Sequence, residues 1–223
     1  MAGRLFVVAT PIGNLEDITL RALRVLGEVA AVACEDTRQT LKLLNRYGIR
    51  KPLISYYQPR EGRRVPELVR MLKEGRDVAL VSDAGTPGIS DPGFPLIRAA
   101  LEEGLAVVPV PGPSAVTAAL SAAGLPTHRF LFAGFAPPKA AGLRKALRAL
   151  AAAEATLVFY LPTRRLPDFL AAVAEVLGDR RVVVARELTK VHEEFLRGRA
   201  GELASSLAGR PPKGEATVLV EGA

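Results

Sequence analysis

Residues 78–93 read VALVSDAGTPGISDPG, and this stretch indicates the fold class. Val78–Val81 is a short, continuous apolar run, the pattern of a strand that is buried on both faces of a parallel sheet. The next twelve residues, Ser82–Gly93, hold three Gly, two Pro, two Ser, one Thr and two Asp, with no Lys or Arg. A strand that ends in such a loop is typical of α/β proteins, which bind ligands at the carboxyl ends of their strands.

The composition of the Ser82–Gly93 loop also bears on its ligand. A phosphate cradle usually combines its glycines with a cation, whereas this loop offers small residues, backbone groups and carboxylates. It therefore favours an uncharged or cationic ligand, such as an adenosine that carries a sulfonium, over a triphosphate. The alternative is a purely structural loop. No Walker A motif occurs in the chain, and the Pro11–Gly13 loop after the first strand lacks the spacing of a dinucleotide fingerprint.

Strands and helices alternate on both sides of this stretch. Periodic apolar segments predict helices at Thr19–Val29, Glu67–Lys73, Phe94–Leu101, Ser114–Ala123, Leu143–Ala152 and Leu166–Leu177. Short β-branched runs predict strands at Leu5–Ala9, Ala30–Cys34, Val78–Val81, Ala106–Val110, Thr156–Tyr160, Arg181–Ala185 and Thr217–Val220. The alternation predicts parallel sheets covered on both faces and argues against all-α and all-β folds.

A proline-rich segment divides the chain. Residues 109–113 read PVPGP, and three prolines in five residues predict a stiff connector rather than regular structure. We therefore expect two α/β domains, residues 1–113 and 114–223. The loop 111–115 leads into a helix rich in Ala and Ser, whose N-terminal amides can hold a carboxylate.

The chain is basic. It has 30 Lys and Arg against 23 Asp and Glu, a net charge of +7 in 223 residues. Either an arginine-rich composition or a polyanionic partner explains this excess. Two clusters hold many of the bases: Arg46, Arg50, Lys51, Arg60, Arg63 and Arg64, and then Arg129, Lys139, Arg144, Lys145 and Arg148. Tyr47, Tyr56 and Tyr57 lie among the first cluster, either as stacking partners for unpaired nucleotides or as ordinary packing residues.

Several classes of protein are excluded. The single cysteine, Cys34, rules out an internal disulfide framework, and with only two histidines it rules out Cys/His zinc cages and iron–sulfur clusters, so we expect no metal. No apolar run approaches the roughly 20 residues that a membrane helix needs. Leu5–Ala9 is too short for a signal peptide, which predicts a cytoplasmic protein without membrane contact.

A second strand end carries adjacent acids. Residues 33–38 read ACEDTR, so that Glu35 and Asp36 stand beside Arg38. Such a group can bind a substrate hydroxyl or supply a general base. It can equally be a helix N-cap, at Asp36 or Thr37, next to a surface ion pair.

Six strings in order carry a resemblance that covers nearly the whole chain: VATPIGNLEDITLRAL, EDTRQT, ALVSDAGTPGISDPG, VVPVPGPSA, GLPTHRFLFAGF and VVVARELTKVHEEFLRG. Together they resemble the bacterial small-subunit ribosomal RNA (cytidine-2′-O)-methyltransferases, a family of the tetrapyrrole methylase superfamily. The resemblance implies an α/β fold of two domains, with a mostly parallel N-terminal sheet and a mixed C-terminal sheet. It also implies a cleft between them for S-adenosylmethionine, a homodimer, and small-subunit ribosomal RNA as substrate.

The resemblance further implies which residues contact the cofactor, whereas it does not fix the catalytic roles. The cofactor contacts carried onto this chain are Pro11, Ala84, Gly85, Thr86, Ile89, Ser114, Ala115, Leu161 and Leu188. The candidate catalytic residues are Asp36 or Glu35 as base and Arg38 as substrate clamp, with Lys190 or Glu187 as alternatives. A tetrapyrrole methyltransferase and a non-catalytic RNA-binding protein of ribosome assembly remain the alternative functions, although the EDTR and HEEF strings favour the RNA branch.

The chain departs from the family pattern at two places. Residues 160–165 read YLPTRR where the family usually reads YESPHR, so neither that acid nor that histidine is indispensable if activity is retained. In residues 136–141, APPKAA, only Lys139 remains of a basic stretch. Many members also continue past the last strand with a further segment, which would leave its RNA contacts to other residues here.

Overall fold

The computed structural model describes residues 1–58, 61–209 and 212–223. The chain divides into two compact units, Met1–Ser114 and Ala115–Ala223. The division that we expect after residue 113 falls one residue before this split. None of the helices within the described ranges is long and apolar enough to span a membrane.

The first unit is a parallel sheet with helices on both faces. Its strands are β1 (Arg4–Val8), β2 (Ala31–Cys34), β3 (Leu53–Ser55), β4 (Val78–Val81) and β5 (Ala106–Val110), and its helices are α1 (Leu20–Glu28), α2 (Thr37–Arg46), α3 (Glu61–Lys73) and α4 (Phe94–Glu102). The strand order is β3-β2-β4-β1-β5, and every neighbouring pair is parallel. The predicted parallel sheet is confirmed.

The strands of this unit carry apolar residues at consecutive positions because both faces of the sheet are buried. Successive side chains of a strand point to opposite faces, and Leu5 and Phe6 accordingly belong to two different core clusters. The cluster around Phe6 includes Leu26 of α1, and the cluster around Leu5 includes Leu72 of α3. The β4 strand lies in the middle of the sheet, and all four of its residues are buried.

The second unit is built on a mixed sheet. Its strands are β6 (Phe130–Phe135), β7 (Thr156–Pro162), β8 (Arg181–Arg186), β9 (Glu194–Arg199) and β10 (Glu215–Val220), and its helices are α5 (Ala115–Ala123), α6 (Ala140–Ala149), α7 (Leu166–Leu177) and α8 (Ala200–Leu207). The order is β6-β7-β10-β8-β9, in which only β6 and β7 pair in parallel. The predicted mixed sheet is confirmed.

One face of the second sheet carries the core and the other is covered in part. Leu157 and Phe159 of β7 pack in one cluster with Phe169 of α7, to which Phe159 makes an edge-to-face contact with ring centroids 5.2 Å apart. On the sheet, α5 contacts β10 and β8. The β6 strand lies at the edge of the sheet and exposes Phe130 and Phe135.

Sequence periodicity misses five of the described strands and α-helices. These are the strands β3, β6 and β9 and the helices α2 and α8. The missed strands are poorly buried: β6 and β9 both follow the pattern of exposed and half-buried residues expected at a sheet edge, and β3 has only three residues. The α3 helix extends further toward the N-terminus than the predicted Glu67–Lys73 and contains Pro66.

Candidate functional site

Two loops meet at the carboxyl end of the first sheet. The Thr10 amide, just after β1, donates to the Gly85 carbonyl at 2.8 Å, and the Gly85 amide donates back to the Thr10 carbonyl at 3.0 Å. The buried Thr10 hydroxyl also donates to the Ser82 carbonyl at 3.0 Å. Pro11, which follows Thr10, is buried beside this pair of loops. The predicted contacts Pro11 and Gly85 are therefore neighbours, at the ends of adjacent strands.

The Ser82–Gly93 loop uses its glycines for backbone that other residues rarely adopt. Gly85 and Gly88 have φ of +80° and +82°, and Gly93 has φ of +154°. A Cβ at Gly93 would lie 2.9 Å from the Gly88 nitrogen, so no side chain fits there without a backbone shift. Ala84 and Ile89 are exposed on this loop. The loop thus presents small and apolar side chains together with main-chain groups.

A third loop passes close to the same strand end. A Cβ at Gly112, in the proline-rich connector, would lie 3.1 Å from the Ala9 Cβ, which is tighter than ordinary van der Waals contact. The connector leads through the half-buried Ser114 to α5, which begins at Ala115. The first amides of a helix have no partners within the helix, so the start of α5 can bind an acceptor such as a carboxylate.

Three acids lie at the ends of β2 and β4. The Asp36 amide donates to Asp83 Oδ1 at 3.0 Å and so connects the β2 end to the Ser82–Gly93 loop. Burial, and then the charge of Asp83, raises the pKa of Glu35 above its ordinary value. Burial likewise raises the pKa of Asp83. Both groups therefore hold protons more tightly than free carboxylates do.

Asp36 behaves in the opposite way. Its carboxylate accepts the Arg38 backbone amide at 2.8 Å, as the N-cap of α2, and the Arg38 guanidinium at 2.7 Å. The side-chain bond from Arg38, followed by the backbone bond, lowers the pKa of Asp36 to about 2. A carboxylate with so low a pKa is a weak base. The Arg38 side chain is itself 86% exposed, so its outer face is open to a ligand.

Cys34 immediately precedes these acids. It is fully buried at the end of β2, and burial raises the pKa of its thiol. A buried thiol that stays protonated is a poor nucleophile. Cys34 is therefore a packing residue at the base of the acid cluster.

In the second unit, the predicted contacts Leu161 and Leu188 follow two strands. Leu161 lies in β7 with its side chain in the main core cluster, and Leu188 is buried just after β8. Because the Leu161 side chain is used in the core, that residue offers a ligand mainly its backbone.

The segment after β8, Glu187–Glu193, is called the β8–β9 turn. Glu187 and Thr189 adopt left-handed φ values of +48° and +66°, a region that costs a residue with a side chain about 1–2 kcal/mol. The Glu187 carboxylate accepts the Glu215 amide and the Lys190 ammonium, both at 3.0 Å. The Thr189 amide donates to Glu193 Oε2 at 2.6 Å. Carboxylates thus hold this turn in shape, and Lys190 is engaged in an ion pair.

Two further features of the turn follow from its tight packing. Gly214 has φ of +107°, and a Cβ there would overlap the Glu187 carboxylate. Thr189 Oγ1 is buried and, among the described residues, has no hydrogen-bond partner. The sequence gives no local signal of this geometry, because the left-handed positions are not glycines.

The altered segment Tyr160–Arg165 has structural contacts of its own. The buried Thr163 hydroxyl lies 2.7 Å from the Pro212 carbonyl and 2.8 Å from the Gly214 carbonyl. Arg165 donates to the carbonyls of Ala136 and Pro137, at 2.8 Å for Ala136. Thr163 and Arg165 of this segment therefore anchor neighbouring backbone, whereas Leu161 and Arg164 stand at the positions of the usual acid and histidine.

The structure separates the three tyrosines of the first basic cluster. Tyr56 is buried, and its hydroxyl accepts the Leu96 amide at 3.2 Å, so the stacking interpretation is wrong for this residue. The Tyr47 hydroxyl donates to the Leu15 carbonyl at 2.7 Å, and Tyr57 is half-buried. Arg60, one of the bases of this cluster, lies outside the described residues.

Comparison with known proteins identifies the family. The model of the tetrapyrrole (corrin/porphyrin) methylases matches residues 4–204. The chain belongs to the tetrapyrrole methylase family. Within it, the chain is 46% identical to the ribosomal RNA small subunit methyltransferase I of Thermotoga maritima, over 99% of both chains. It is 51% identical to the protein of the same name from Pseudomonas aeruginosa, over 99% of this chain and 79% of that one. The resemblance indicated by the six strings is confirmed.

A solved structure supports the fold of this tetrapyrrole methylase. The uroporphyrin-III C-methyl transferase of Thermus thermophilus, complexed with S-adenosylhomocysteine, matches with a TM-score of 0.66 and 22% identity. The match covers 98% of this chain and 97% of that one. The predicted fold class is confirmed.

The residues at the first strand ends fit a sulfonium cofactor. The loops hold carboxylates at Asp83 and Glu35 and no cation between Ser82 and Gly93, which suits a positively charged sulfur. The exposed Ala84 and Ile89 offer apolar contact for a flat ring. The cofactor residues as a set stay a prediction.

Proposed function

We propose that this tetrapyrrole methylase transfers a methyl group from S-adenosylmethionine to the 2′-hydroxyl of a cytidine in small-subunit ribosomal RNA. The observation that carries the proposal is the 46–51% identity, over 99% of the chain, to proteins named for methylation of this RNA. The tetrapyrrole alternative has weaker support, since the solved uroporphyrin enzyme is only 22% identical.

We propose cofactor contacts from both units. In the first unit these are Pro11, Ala84, Gly85, Thr86, Ile89 and Ser114, and in the second Ala115, Leu161 and Leu188. S-adenosylmethionine supplies an electrophilic methyl group on a sulfonium. The paired backbone bonds between Thr10 and Gly85 hold the first two loops in fixed register. Rigid positioning matters because methyl transfer is an in-line displacement, for which orientation contributes roughly 7–11 kcal/mol.

Among the candidate bases, the electrostatics favour Glu35 over Asp36. A ribose hydroxyl is a weak nucleophile, and a base works best with a pKa closer to the working pH. The raised pKa of Glu35 meets that condition, whereas Asp36 is held ionised by Arg38 and caps α2. In this proposal Glu35 accepts the hydroxyl proton, Asp36 positions Arg38, and Arg38 binds a phosphate of the RNA. Lys190 orders the β8–β9 turn through Glu187.

The basic residues of both units supply the proposed RNA contacts. Arg46 and Arg63 are exposed in the first unit, as are Lys139, Lys145 and Arg148 in the second. Arg144 is paired with Glu175 at 2.8 Å and is less available. We further propose a homodimer that acts in the cytoplasm. Light scattering on the purified protein measures the oligomeric state.

The proposal is tested by methylation of defined substrates. The protein is incubated with labelled S-adenosylmethionine and, separately, with small ribosomal subunits and protein-free RNA from the same organism, and the RNA is digested to nucleosides. Label in 2′-O-methylcytidine is expected. Label in a base, or cofactor binding without any labelled RNA, would contradict the proposal, and absence of cofactor binding would favour a non-catalytic RNA-binding protein.

The assignment of the base is tested separately. Glu35→Gln is expected to lower the rate of methyl transfer about 10²–10⁴-fold, and Asp36→Asn considerably less. In the wild type the rate should rise with pH through the raised pKa of Glu35 and then level off, because only the ionised form accepts a proton. If Asp36 were the base, that rise would lie near pH 2, so a flat profile in the mildly acidic range would reject Glu35.

A further inference from the structure

Four aromatic side chains lie together on one face of the second sheet at its β6 edge. Phe132 and Phe135 both contact the ring of Tyr160, edge to face, with centroids 4.8 and 5.5 Å apart. Phe130 shares the face of Phe132, because Leu131 between them packs against the core. We call Phe130, Phe132, Phe135 and Tyr160 the aromatic platform.

A bulge in β6 brings Phe135 into the platform. Phe132 pairs with Val158 and Phe135 with Tyr160, so three steps along β6 match two along β7. Gly134 has φ of +70° at this irregularity. In a regular strand Phe135 would point to the same face as Leu131, toward the core. Bulges commonly redirect a side chain in this way.

The platform is exposed although its residues are large and apolar. Phe130 and Phe135 are 48% and 61% exposed, and Phe132 and Tyr160 are half-buried. A ring on a rigid strand loses little conformational freedom on binding, since the strand is already ordered. Grouped exposed aromatic residues of this kind mark interaction surfaces rather than packing.

Basic groups border the platform. Arg129 directly precedes Phe130, and its side chain is 68% exposed and forms a long 3.8 Å ion pair with Glu154. Lys139 is exposed at the start of α6, and the Arg165 guanidinium lies against the carbonyls of Ala136 and Pro137, just beyond Phe135. No acid occurs in the sequence between His128 and Glu154. The charge of this edge therefore complements a polyanion.

Aromatic rings with a basic border are the usual elements of a site for unpaired nucleotides. We propose that the aromatic platform stacks unpaired bases of the RNA substrate while the bordering bases contact its phosphates. This inference rests on the proposed function, which supplies the nature of the substrate. It adds that the aromatic platform recognises a single-stranded part of that RNA. Self-association through this face is an outcome that the test below distinguishes from RNA binding.

The test measures RNA binding by fluorescence anisotropy. The probes are a labelled 12-nucleotide RNA without self-complementarity and the same strand annealed to its complement. Phe135→Leu keeps apolar area but removes the ring, and Phe135→Trp keeps a ring. We expect the single strand to bind more tightly than the duplex. We also expect Phe135→Leu to weaken its binding roughly 5- to 150-fold and Phe135→Trp to preserve it.

Salt dependence separates stacking from charge. Phe135→Leu should leave the slope of log K against log salt unchanged, whereas Lys139→Gln should reduce it by about 0.7, the value for one phosphate contact on a single strand. Leu101→Ala, at a 59% exposed position of α4, serves as the control for loss of exposed apolar area and should bind as the wild type does.

Three results would overturn the inference: equal binding by Phe135→Leu and the wild type, equal affinity for single strand and duplex, or a change of molecular mass in Phe135→Leu by light scattering. The last would assign the platform to self-association. Failure of the proposed function looks different. If the wild type methylates no RNA but Phe135→Leu still binds single-stranded RNA more weakly than the wild type, the aromatic platform is retained. Only the proposed reaction is then contradicted.

Discussion

The Ser82–Gly93 loop and the β8–β9 turn both contain left-handed backbone, and they accommodate it by different means. Both follow buried strands, β4 and β8, and both need backbone in the left-handed region. The first uses glycines at Gly85, Gly88 and Gly93, with Ser90 (φ of +64°) as its one non-glycine residue of positive φ. The second places ordinary residues there and holds them with the carboxylates of Glu187 and Glu193. Glycine adopts such backbone at little steric cost, whereas residues with side chains need surrounding contacts to hold them there.

The largest effect is expected where a glycine is required by space as well as by φ. Gly93→Ala places a Cβ 2.9 Å from the Gly88 nitrogen and 3.2 Å from its Cα, so backbone must move. We expect the free energy of unfolding to fall by roughly 3 kcal/mol and the affinity for S-adenosylhomocysteine to fall with it. Urea unfolding and calorimetry measure the two quantities.

A second glycine supplies the control for this substitution. Gly104 has φ of +67° and nothing within 4 Å of a built Cβ, so Gly104→Ala adds only the cost of the left-handed backbone, about 1–2 kcal/mol. It should leave cofactor affinity unchanged. Equal losses of stability in the two variants would show that the close approach at Gly93 is unimportant.

An intermediate effect on the free energy of unfolding is expected at Glu187, whose carboxylate holds the β8–β9 turn. The bond from the Glu215 amide, and then that from Lys190, keeps the pKa of Glu187 below its ordinary value. The ionised group thus stabilises the fold above the usual Glu range, and this contribution is lost as the pH falls through the lowered pKa. Glu187→Ala should cost about 1–3 kcal/mol at neutral pH.

The pH dependence of stability distinguishes this role from simple packing. Glu187→Gln keeps the shape and removes the charge, so the difference in unfolding free energy between it and the wild type should shrink as the pH is lowered. A difference that stays constant from neutral to acidic pH would mean that the carboxylate charge does not hold the turn.

Glu35, with its raised pKa, should show the opposite pH dependence of stability: its contribution to stability is lost as the pH rises.

The smallest expected effect is a gain in the free energy of unfolding. Thr189 combines a left-handed backbone with a buried hydroxyl that has no partner among the described residues. Thr189→Gly removes both costs and adds unfolded-state entropy, for a net stabilisation of about 1 kcal/mol. Thr127→Gly, at an exposed position where φ is not positive, should instead destabilise slightly. Loss of stability in Thr189→Gly would break the comparison, because it would mean that the turn does not carry strain.

The same contrast explains what sequence reasoning could reach. The buried strand Val78–Val81 and its loop were predictable because continuous apolar residues and a run of Gly and Pro are local signals. The edge strand β6 was not, since its exposed phenylalanines do not alternate with polar residues and a bulge at Gly134 interrupts the period. The β8–β9 turn was reached only through the family resemblance, because its geometry depends on Gly214, distant in sequence.

The acids show a similar limit. Their adjacency at Glu35 and Asp36 pointed to acid–base chemistry, and from the sequence Asp36 was the first choice as base. Their difference comes from Asp83 and Arg38: the Asp83 charge adds to burial in raising the pKa of Glu35, and Arg38 lowers that of Asp36. Contacts that separate neighbouring carboxylates are three-dimensional, so the choice between them needed the structure.

The burial of Cys34 has a practical consequence. Its thiol is shielded and remains protonated, so thiol-directed reagents should leave the folded protein unlabelled. Since it is the single cysteine of the chain, the natural sequence is already a background for site-specific labelling. A cysteine introduced at the 96% exposed Val191 would be the one thiol that a maleimide dye reaches, and its emission would report directly on the β8–β9 turn.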